Sequence, residues 1–482
     1  MDKGVAVYQG SIPEKDFQAL RRQVLSTWPT GNEVDFQEAV AYHRALPPGH
    51  NVAQALMTAK AAGKTLIQPR GGVALIDEQI NLLQGLQRVG ADLLPVTLDS
   101  YTRNNRYEAA ESAIQESARN GRSMLNGFPI VNHGLGGCRR LTEAVDRPIV
   151  GRPGACDARL AAEISLAAGF SDFEGGPLDY FFSYSKTLTP EQVIRDWQYI
   201  NRLAGSYQEQ GIDMHQEQYG AITGTLVLPC LGLSVVILEG LMAAEQGVRY
   251  VGLGLGQTGC LLQDVAMLRV APGLGRHYLD RLGYKETEVT TLLYQWMGAF
   301  PPDEAAAMGV ISLAAAAAAF GKATYLISKS PHEALGIPTL EANAQGVRAT
   351  RQVLGMLGNQ IYPGGKELVE EMDLLERETR AIVDRALELG EGSPGLGAAQ
   401  AVHAGVLDIP FSPSRVAKNR VMPLRDRTGA IRFLDSGAIP LPSDIRQFHR
   451  DRVEERISSA GGRSAYDLLV EDIYSIKTGM IG

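Results

Sequence analysis

Four short apolar runs in this 482-residue chain end abruptly in a charged residue, and this pattern constrains the fold more than any other feature. Gly, Pro or Asn follows each charge before a helical pattern begins, and the charged residues are Arg70, Arg103, Arg152 and Glu174. In a (β/α)8 barrel the loops after the strands converge on one face, so charges that are far apart in sequence meet there. Three converging arginines predict a site for a small dicarboxylate.

Strand-like apolar runs alternate with amphipathic helical stretches through the middle of the chain. This alternation predicts an α/β fold with a mostly parallel sheet, closed as a TIM barrel. About nine runs qualify where a closed barrel needs eight strands, so at least one lies outside the barrel. The runs are TLIQP, ADLLPVTL, SMLNGFP, RPIVG, GFSDFE, IDMHQ, RYVGLGLG, VTTLLYQW and TYLISK.

The pattern divides the chain into three regions. We predict a helical lead-in over residues 1–50, with one or two amphipathic helices in EKDFQALRRQVLSTW and EVDFQEAVAYHRAL. Residues 51–361 form the catalytic barrel. Residues 362–482 form a C-terminal α+β extension, which opens with the charged helix KELVEEMDLLERETRAIVDRALELG. We interpret that helix as a solvated face with Glu–Arg pairs and without a catalytic role.

Composition excludes several classes of protein. A formal net charge of -8 argues against a general nucleic-acid or membrane-surface binder, which needs a basic field. The four cysteines contain no C-x-x-C pair, so neither a zinc site nor a disulfide framework is indicated, and we expect buried free thiols. The N-terminus lacks a signal-peptide pattern and the apolar run from Leu313 to Phe320 is too short to span a bilayer, which predicts a cytoplasmic protein.

The sequence matches two known binding motifs, G-x-G-x-x-G and D-x-H-x-x-G, only in part. Gly254, Gly256 and Gly259 satisfy G-x-G-x-x-G, but a dinucleotide fold also needs an acidic residue about twenty positions on, at the end of a second strand. We therefore interpret GLGLGQTG as a tight barrel loop. The D-x-H-x-x-G loop of cobalamin domains also fails, because in DMHQEQYG the glycine comes two residues too late. His215 is then an ordinary strand-end side chain.

Other strand-end residues have two possible roles. Lys329 ends the run TYLISK, where Schiff-base aldolases of this fold keep their lysine. Ser330 to Glu333 has the form of a helix capping box. Tyr180 and Tyr184 share a face if their segment is helical, and they form either a core aromatic pair or a pocket wall beside Glu174.

These segments together resemble one known family, the large (epsilon) subunit of glutamate mutase, also called methylaspartate mutase. The resemblance covers nearly the whole chain, from PTGNEVDFQEAV to the stretches DIPFSPS and MPLRD. It is strongest in QPRGGVALID, DSYTRNNRYE, LNGFPIVNHG, FEGGPLDYFFSYSK, QWMGAFPPDE and KSPHEALGIPT.

The resemblance implies an isomerase that rearranges the carbon skeleton of L-glutamate to (2S,3S)-3-methylaspartate by a radical mechanism. It implies adenosylcobalamin as the cofactor, shared with a small cobalamin-binding sigma subunit in a heterotetramer of two large and two small chains. It implies substrate contacts at Arg70, Arg103, Arg152, Pro153, Glu174, Tyr180 and Tyr184, with Glu174 also catalytic, and cofactor contacts at Gly72, Asn126, Ser183, Phe300, Lys329, Glu333 and Ile337.

The chain departs from the family pattern at two positions. Pro153 stands where the family has His, and Ser183 stands where it has Pro. The first change removes a side-chain donor from the implied substrate pocket. Two alternatives therefore stay open: a sister mutase that acts on a close analogue of glutamate, and a catalytically silent subunit that binds a dicarboxylate.

Overall fold

The computed structural model describes residues 6–336, 338–362 and 364–481. Seven parallel strands and one short bridging segment, residues 172–173, form the staves of a closed barrel. The seven strands are β1 (Leu66–Gln68), β2 (Leu94–Thr97), β3 (Ile149–Arg152), β4 (His215–Tyr219), β5 (Tyr250–Gly256), β6 (Glu288–Tyr294) and β7 (Tyr325–Ile327).

Pairing between neighbours closes the ring. Strands β4, β5, β6, β7 and β1 pair in that order, and β2 pairs with β3. The bridges Gly151–Phe173 and Asp172–His215 place residues 172–173 between β3 and β4. Backbone hydrogen bonds join β1 to β2, with 2.9 Å from Thr97 N to the Gly71 carbonyl oxygen. The predicted TIM barrel is confirmed.

Helices surround and extend the barrel. The lead-in contains α1 (Glu14–Leu25) and α2 (Phe36–Ala45), as predicted. The remaining helices up to β7 are α3 (Val52–Ala61), α4 (Ile76–Arg88), α5 (Tyr107–Asn120), α6 (Ile130–Glu143), α7 (Arg159–Ala167), α8 (Pro177–Tyr184), α9 (Pro190–Glu209), α10 (Pro229–Glu245), α11 (Leu261–Arg281) and α12 (Glu304–Gly321). Beyond β7 lie α13 (Leu340–Leu357), α14 (Gly365–Leu389), α15 (Pro394–Ala404), α16 (Ser443–Ser459) and α17 (Ala465–Thr478).

The surplus strand candidate is SMLNGFP, residues 123–129. It makes one isolated bridge, Phe128 to Leu98, and belongs to the connection between β2 and β3. The strand predicted from the run IDMHQ, residues 212–216, has the wrong bounds, because β4 covers His215–Tyr219. The strand continues through polar residues to Tyr219, all of them buried, so an apolar run could not mark it.

Glycines of β5 make room inside the barrel rather than forming a loop. A Cβ on Gly252 would lie 2.6 Å from the Tyr325 hydroxyl and 2.8 Å from His215 Cε1, and a Cβ on Gly254 would lie 2.8 Å from a ring carbon of Tyr294. Only the end of GLGLGQTG is a turn, with Gly259 at φ +91°. The prediction of a tight loop was therefore wrong for most of this motif, and the absent side chains admit large polar rings.

The region after residue 362 packs on the barrel and adds a hairpin of β8 (Met422–Arg425) and β9 (Ile431–Asp435). Helix α14 buries one face against α10 and α11. Two of its acids are buried and not solvated: Glu371 pairs with Arg432 at 2.7 Å, and Glu378 hydrogen-bonds His449. The interpretation of this helix as a solvated face was therefore incomplete. The boundaries at residues 50 and 361 stay predictions.

This hairpin reaches the loop that follows β5. Arg425, fully buried, donates from Nη2 to the Thr258 carbonyl oxygen at 2.7 Å. Helix α17 packs Ile476 beside Gly259 of the same loop. The C-terminal region therefore lies against the carboxyl end of the barrel strands.

Helix α12 is the one described helix that is long and apolar enough to cross a membrane by length and composition. It packs against α11 and α13 in the outer layer of the barrel, and core helices of soluble proteins pass the same test. We therefore assign it to the outer layer of the barrel. All four cysteines are free thiols; Cys138, Cys230 and Cys260 are buried and Cys156 is half-buried.

Candidate active site

The centre of the site is an ion pair at the carboxyl end of two neighbouring staves. Arg152 is the last residue of β3, and Glu174 directly follows the 172–173 segment, where its backbone N–H bonds the Gly151 carbonyl oxygen at 2.8 Å. Arg152 Nη2 lies 2.8 Å from Glu174 Oε2, and both side chains are almost fully buried. The two residues that the sequence placed at strand ends are therefore in direct contact.

Helix α8 follows Glu174 and carries both predicted tyrosines. Gly175 has φ +108°, and a Cβ there would lie 2.2 Å from the Tyr180 ring, so glycine is required for this turn. The buried Glu239 of α10 accepts hydrogen bonds from the Leu178 and Asp179 amides at 2.7 and 2.9 Å, which fixes the start of α8.

Tyr180 and Tyr184 lie on the same side of α8, with ring centroids 5.4 Å apart. Tyr180 is 1% exposed and its hydroxyl lies 3.5 Å from the Glu174 carbonyl oxygen, whereas Tyr184 is 48% exposed. Tyr180 is therefore a core residue in contact with the site. Tyr184 has the exposure of a pocket-wall residue.

Arg103 lies in the turn after β2 and approaches the residues after β3. Its Nε donates to the Leu98 carbonyl oxygen at 2.8 Å, which leaves its two terminal nitrogens for other partners. Gly154, at φ +56°, faces the guanidinium so closely that a Cβ would lie 2.8 Å from Arg103 Nη1. Pro153 is buried between Arg152 and this glycine in the chain.

A second charged group lies at the carboxyl ends of β1 and β7. Lys329 Nζ lies 2.7 Å from Glu333 Oε2, and Arg70 Nη1 lies 3.9 Å from the same oxygen. Burial lowers the pKa of Lys329 to about 8 together with the Arg70 and Arg152 charges, and Glu333 acts in the opposite direction. Arg70 and Arg152 are therefore both close enough to influence this lysine.

The predicted capping box at Ser330 is wrong. Residues 331–335 form turns, and the next helix begins at Leu340 with Thr339 as its N-cap. The Ser330 hydroxyl accepts the His332 amide at 3.2 Å, and the Glu333 carboxylate accepts a hydrogen bond from Lys329 Nζ at 2.7 Å. Glu333 therefore belongs to a turn and pairs with Lys329, and it does not cap a helix.

An open cavity of about 340 Å³ lies between the loops after β1, β2 and β7. Arg70, Gly72, Asn126 and Glu333 line it, so it brings together predicted substrate and cofactor contacts. A Cβ on Gly72 would lie 2.4 Å from the Thr97 carbonyl oxygen, so this wall requires glycine. Thr97 Oγ1, also in the wall, is buried without a hydrogen-bond partner among the described residues.

The remaining predicted cofactor contacts are Phe300, Ser183 and Ile337. The Phe300 ring centroid lies 6.0 Å from Lys329 Nζ, at the edge of this group. Ser183 lies on α8 with a buried hydroxyl that has no partner among residues 6–336, 338–362 and 364–481. Ile337 lies outside the described residues.

Three buried residues of the site were not predicted from the sequence: Glu217, Tyr294 and Tyr325. Arg152 Nη1 lies 3.5 Å from Glu217 Oε1, and the Tyr294 hydroxyl lies 3.3 Å from Glu174 Oε1. Tyr325 donates to Glu217 Oε2 at 3.2 Å. The available signal was the run HQEQY, whose residues form all of β4 and are all buried.

His215 occupies the amino end of β4, inside the barrel. Its ring nitrogens lie 2.9 Å from Asp172 Oδ1 and 3.0 Å from the Thr290 hydroxyl. The prediction of an ordinary structural side chain agrees with these contacts. Its place at the beginning of the strand differs from the expected strand end.

Fold and site together define a TIM-barrel protein whose strand ends carry arginines and one carboxylate, the residue types that bind small anionic molecules. Comparison with known proteins gives the family. Residues 46–482 match the family model described as methylaspartate mutase E chain. The chain belongs to the methylaspartate mutase E chain family, which confirms the resemblance and the predicted function as the large subunit of a glutamate mutase.

Individual relatives agree with this assignment. The glutamate mutase epsilon subunit of Desulfitobacterium hafniense (strain Y51) is 51% identical over 468 residues, covering 97% of each chain. The glutamate mutase epsilon subunits of Yersinia enterocolitica serotype O:8 and Escherichia coli O157:H7 are each 47% identical, with coverage of 96% and 97% of each chain.

Proposed function

We propose that this chain catalyses the rearrangement of L-glutamate to (2S,3S)-3-methylaspartate, as an isomerase of the intramolecular mutase class. The observation that carries the proposal is the contact of Arg152 with Glu174, with Arg103 beside the turn after β3 and Arg70 on the nearby cavity wall. A dicarboxylic amino acid carries two anionic groups and one cationic group. Arginines and one carboxylate at a common barrel face match that charge pattern.

Each predicted substrate contact has a distinct role in this proposal. The guanidinium groups of Arg70, Arg103 and Arg152 cannot lose their protons and bond carboxylates at two points, so they hold both ends of a flexible substrate. Glu174 accepts a hydrogen bond or a proton from the substrate ammonium group. Tyr180 and Tyr184 limit the volume in which the substrate can turn. The main contribution of these residues is orientation.

We propose adenosylcobalamin as the cofactor, and the cavity beside Lys329 fits the nucleoside part of that molecule. Gly72 leaves space where a Cβ would collide with the backbone, and Thr97 Oγ1 offers an unused polar atom. Asn126, Lys329 and Glu333 would supply polar contacts, with Phe300 beside them, and Ser183 and Ile337 would complete the predicted set. When bound, adenosylcobalamin supplies a carbon-centred radical by cleavage of its cobalt–carbon bond. The surrounding loops would exclude water from this reaction.

We propose a small cobalamin-binding sigma subunit as the partner, in a heterotetramer of two large and two small chains. The support is indirect: the D-x-H-x-x-G motif that would carry a cobalt-ligating histidine fails in this sequence. That ligand would then come from the partner. The balance of charge and the packing of α12 into the barrel support a cytoplasmic location.

A second candidate is a sister mutase acting on a close analogue of glutamate. It is favoured by Pro153, which is buried directly after Arg152 and offers neither a side-chain donor nor a backbone N–H. A catalytically silent dicarboxylate-binding subunit is the third candidate. The presence of the Arg152–Glu174 pair and of the Lys329–Glu333 pair speaks against that loss of activity.

The test is a reconstitution from purified components. The chain is mixed with L-glutamate, adenosylcobalamin and the small cobalamin-binding subunit of a relative, and 3-methylaspartate is measured by chromatography. We expect product only when all four are present. Robust turnover without the small subunit would contradict the proposed division of the site. Absence of turnover together with absence of glutamate binding would contradict the substrate.

A further inference from the structure

Glu217 is a fully buried carboxyl group inside the barrel that the proposed mechanism does not use. It lies in the middle of β4, and its Oε2 accepts a hydrogen bond from Tyr325 at 3.2 Å. Its Oε1 bonds the Tyr294 hydroxyl and lies 3.5 Å from Arg152 Nη1, which is beyond a good hydrogen bond. Glu217 is therefore held by two phenols and lies beside the arginine of the candidate site.

The Tyr294 hydroxyl contacts two carboxyl groups but has only one hydrogen. It lies 3.3 Å from Glu174 Oε1 and also bonds Glu217 Oε1. If both carboxyls were ionised, one of the two oxygens would face a lone pair of the phenol in a buried site. A buried acceptor without a hydrogen bond is unfavourable. The hydrogen bonds that join Glu174, Tyr294 and Glu217 are all made only when one of the two carboxyls carries a proton.

The charges around the pair indicate which carboxyl is protonated. Arg152 provides one positive charge, and it lies 2.8 Å from Glu174 but 3.5 Å from Glu217. The next acid inside the barrel, Asp172, is occupied by His215 at 2.9 Å. Burial raises the pKa of Glu217 well above its usual range, in opposition to Arg152. A second ionised carboxylate would lack a close cation of its own.

We propose that Glu174 and Glu217 share one proton across Tyr294, with Glu217 as the neutral acid. Glu217 Oε1–H then donates to the Tyr294 oxygen, Tyr294 donates to Glu174 Oε1, and Tyr325 donates to the Glu217 carbonyl oxygen. Glu174 keeps the negative charge that Arg152 balances. Glu217 is a positioning residue in this arrangement, because it acts through Tyr294 and has no direct contact with substrate. No bond is made or broken.

The consequence for substrate rests on the proposed function. With Glu217 neutral, Arg152 has Glu174 as its one close anion, so Arg152 can also attract a substrate carboxylate while Glu174 remains an acceptor for the ammonium group. An ionised Glu217 would add a second negative charge beside Arg152 and weaken its attraction for a dicarboxylate. The proton on Glu217 would therefore favour an anionic substrate.

Infrared difference spectroscopy on the purified chain tests where the proton resides, without cofactor, partner or substrate. A protonated carboxyl has a C=O stretch that is well separated from the carboxylate bands. We expect the wild-type minus Glu217→Gln spectrum at neutral pH to contain a carboxylic-acid band. The matched control is Glu286→Gln, an exposed glutamate, whose difference spectrum should contain only carboxylate bands. Carboxylate bands in the Glu217→Gln difference would overturn the proposal.

A second variant covers the case in which Glu217→Gln does not fold. Tyr294→Phe keeps the acid and removes its acceptor, so the acid band should move to higher frequency as its hydrogen bond weakens. An acid band at unchanged frequency would also overturn the proposal. Neither experiment involves turnover, so a failure of the proposed function leaves these results interpretable.

Discussion

Arg152 and Glu174 form a buried ion pair, with 2.8 Å between Nη2 and Oε2, at the point where β3 and the 172–173 segment end. The pair joins one of the three proposed substrate-binding arginines to the proposed proton acceptor. Burial of such a pair is costly unless both members are present, because removal of one leaves an uncompensated charge. The pair therefore couples the stability of the barrel to the proposed chemistry.

The first prediction follows from this contact. Glu174→Gln should lower kcat about 10²-fold, because the amide cannot accept a proton, and should reduce the free energy of unfolding by about 3 kcal/mol. Steady-state kinetics and urea unfolding measure the two effects, with exposed Glu286→Gln as the control. A Glu174→Gln enzyme with unchanged kcat would remove this carboxyl from the reaction.

The second prediction concerns Arg103, whose Nε is bound to the Leu98 carbonyl oxygen and whose terminal nitrogens are proposed to bind substrate. Arg103→Lys keeps the charge but cannot bond a carboxylate at two points, so kcat/KM should fall by a factor that corresponds to about 2–3 kcal/mol. Exposed Arg119→Lys serves as the control. Equal kinetics for both variants and the wild type would place Arg103 outside the site.

A third prediction concerns Pro153, which has neither a backbone N–H nor a polar side chain. A substrate group left without a partner there costs about 1–3 kcal/mol, enough to change selectivity by about one to two powers of ten. We expect weak discrimination between glutamate and its 3- and 4-substituted analogues, and restoration by Pro153→His. Competition assays on both proteins measure this. Strong glutamate preference in the wild type, with the same ranking in the variant, would make Pro153 a neutral replacement.

The fourth prediction is a pH dependence that originates in Lys329, whose pKa burial lowers from 10.5 to about 8. The unfolded chain therefore binds more protons than the folded chain between about pH 8 and 10.5, so this lysine alone makes the free energy of unfolding rise with pH in that window. Below pH 8 Lys329 is protonated in both the folded and the unfolded chain, and its burial then lowers the free energy of unfolding by the full amount of about 3 kcal/mol.

Unfolding experiments across this window on the wild type, Lys329→Met and exposed Lys285→Met provide the measurement. Lys329→Met should lack the rise, while Lys285→Met should follow the wild type. Lys329→Met also leaves Glu333 without its closest partner, which changes the absolute stability. The result is therefore decided by the slope of the free energy of unfolding against pH. Parallel curves for all three proteins would contradict the lowered pKa.

The sequence alone was sufficient for the strand-end residues and the barrel, since both depend on a local pattern. Arg70, Arg103, Arg152 and Glu174 follow apolar runs, and parallel strands bring their carboxyl ends to one face. Polar residues inside the barrel gave no such pattern. Glu217 lies in a strand of polar residues that is stabilised by partners from β3, β6 and β7, so its role depends on contacts distant in sequence.

Two errors have a similar physical origin. The Ser330 capping box was locally plausible, but Lys329 engages Glu333 and the helix begins only at Leu340. The glycines of β5 satisfied a loop motif, yet they provide space for the rings of His215, Tyr294 and Tyr325. In both cases a tertiary contact decided the outcome, and a single sequence does not contain that contact.

The central claim is that this chain directs a carbon-skeleton rearrangement of glutamate. The most direct measurement follows L-glutamate labelled with carbon-13 at C3 in the reconstituted complex by nuclear magnetic resonance. Migration of the glycyl fragment to the neighbouring carbon converts C3 into a methyl group, so we predict a labelled methyl signal of 3-methylaspartate. A label that remains in a methylene group, in a complex that binds both glutamate and adenosylcobalamin, would contradict the claim.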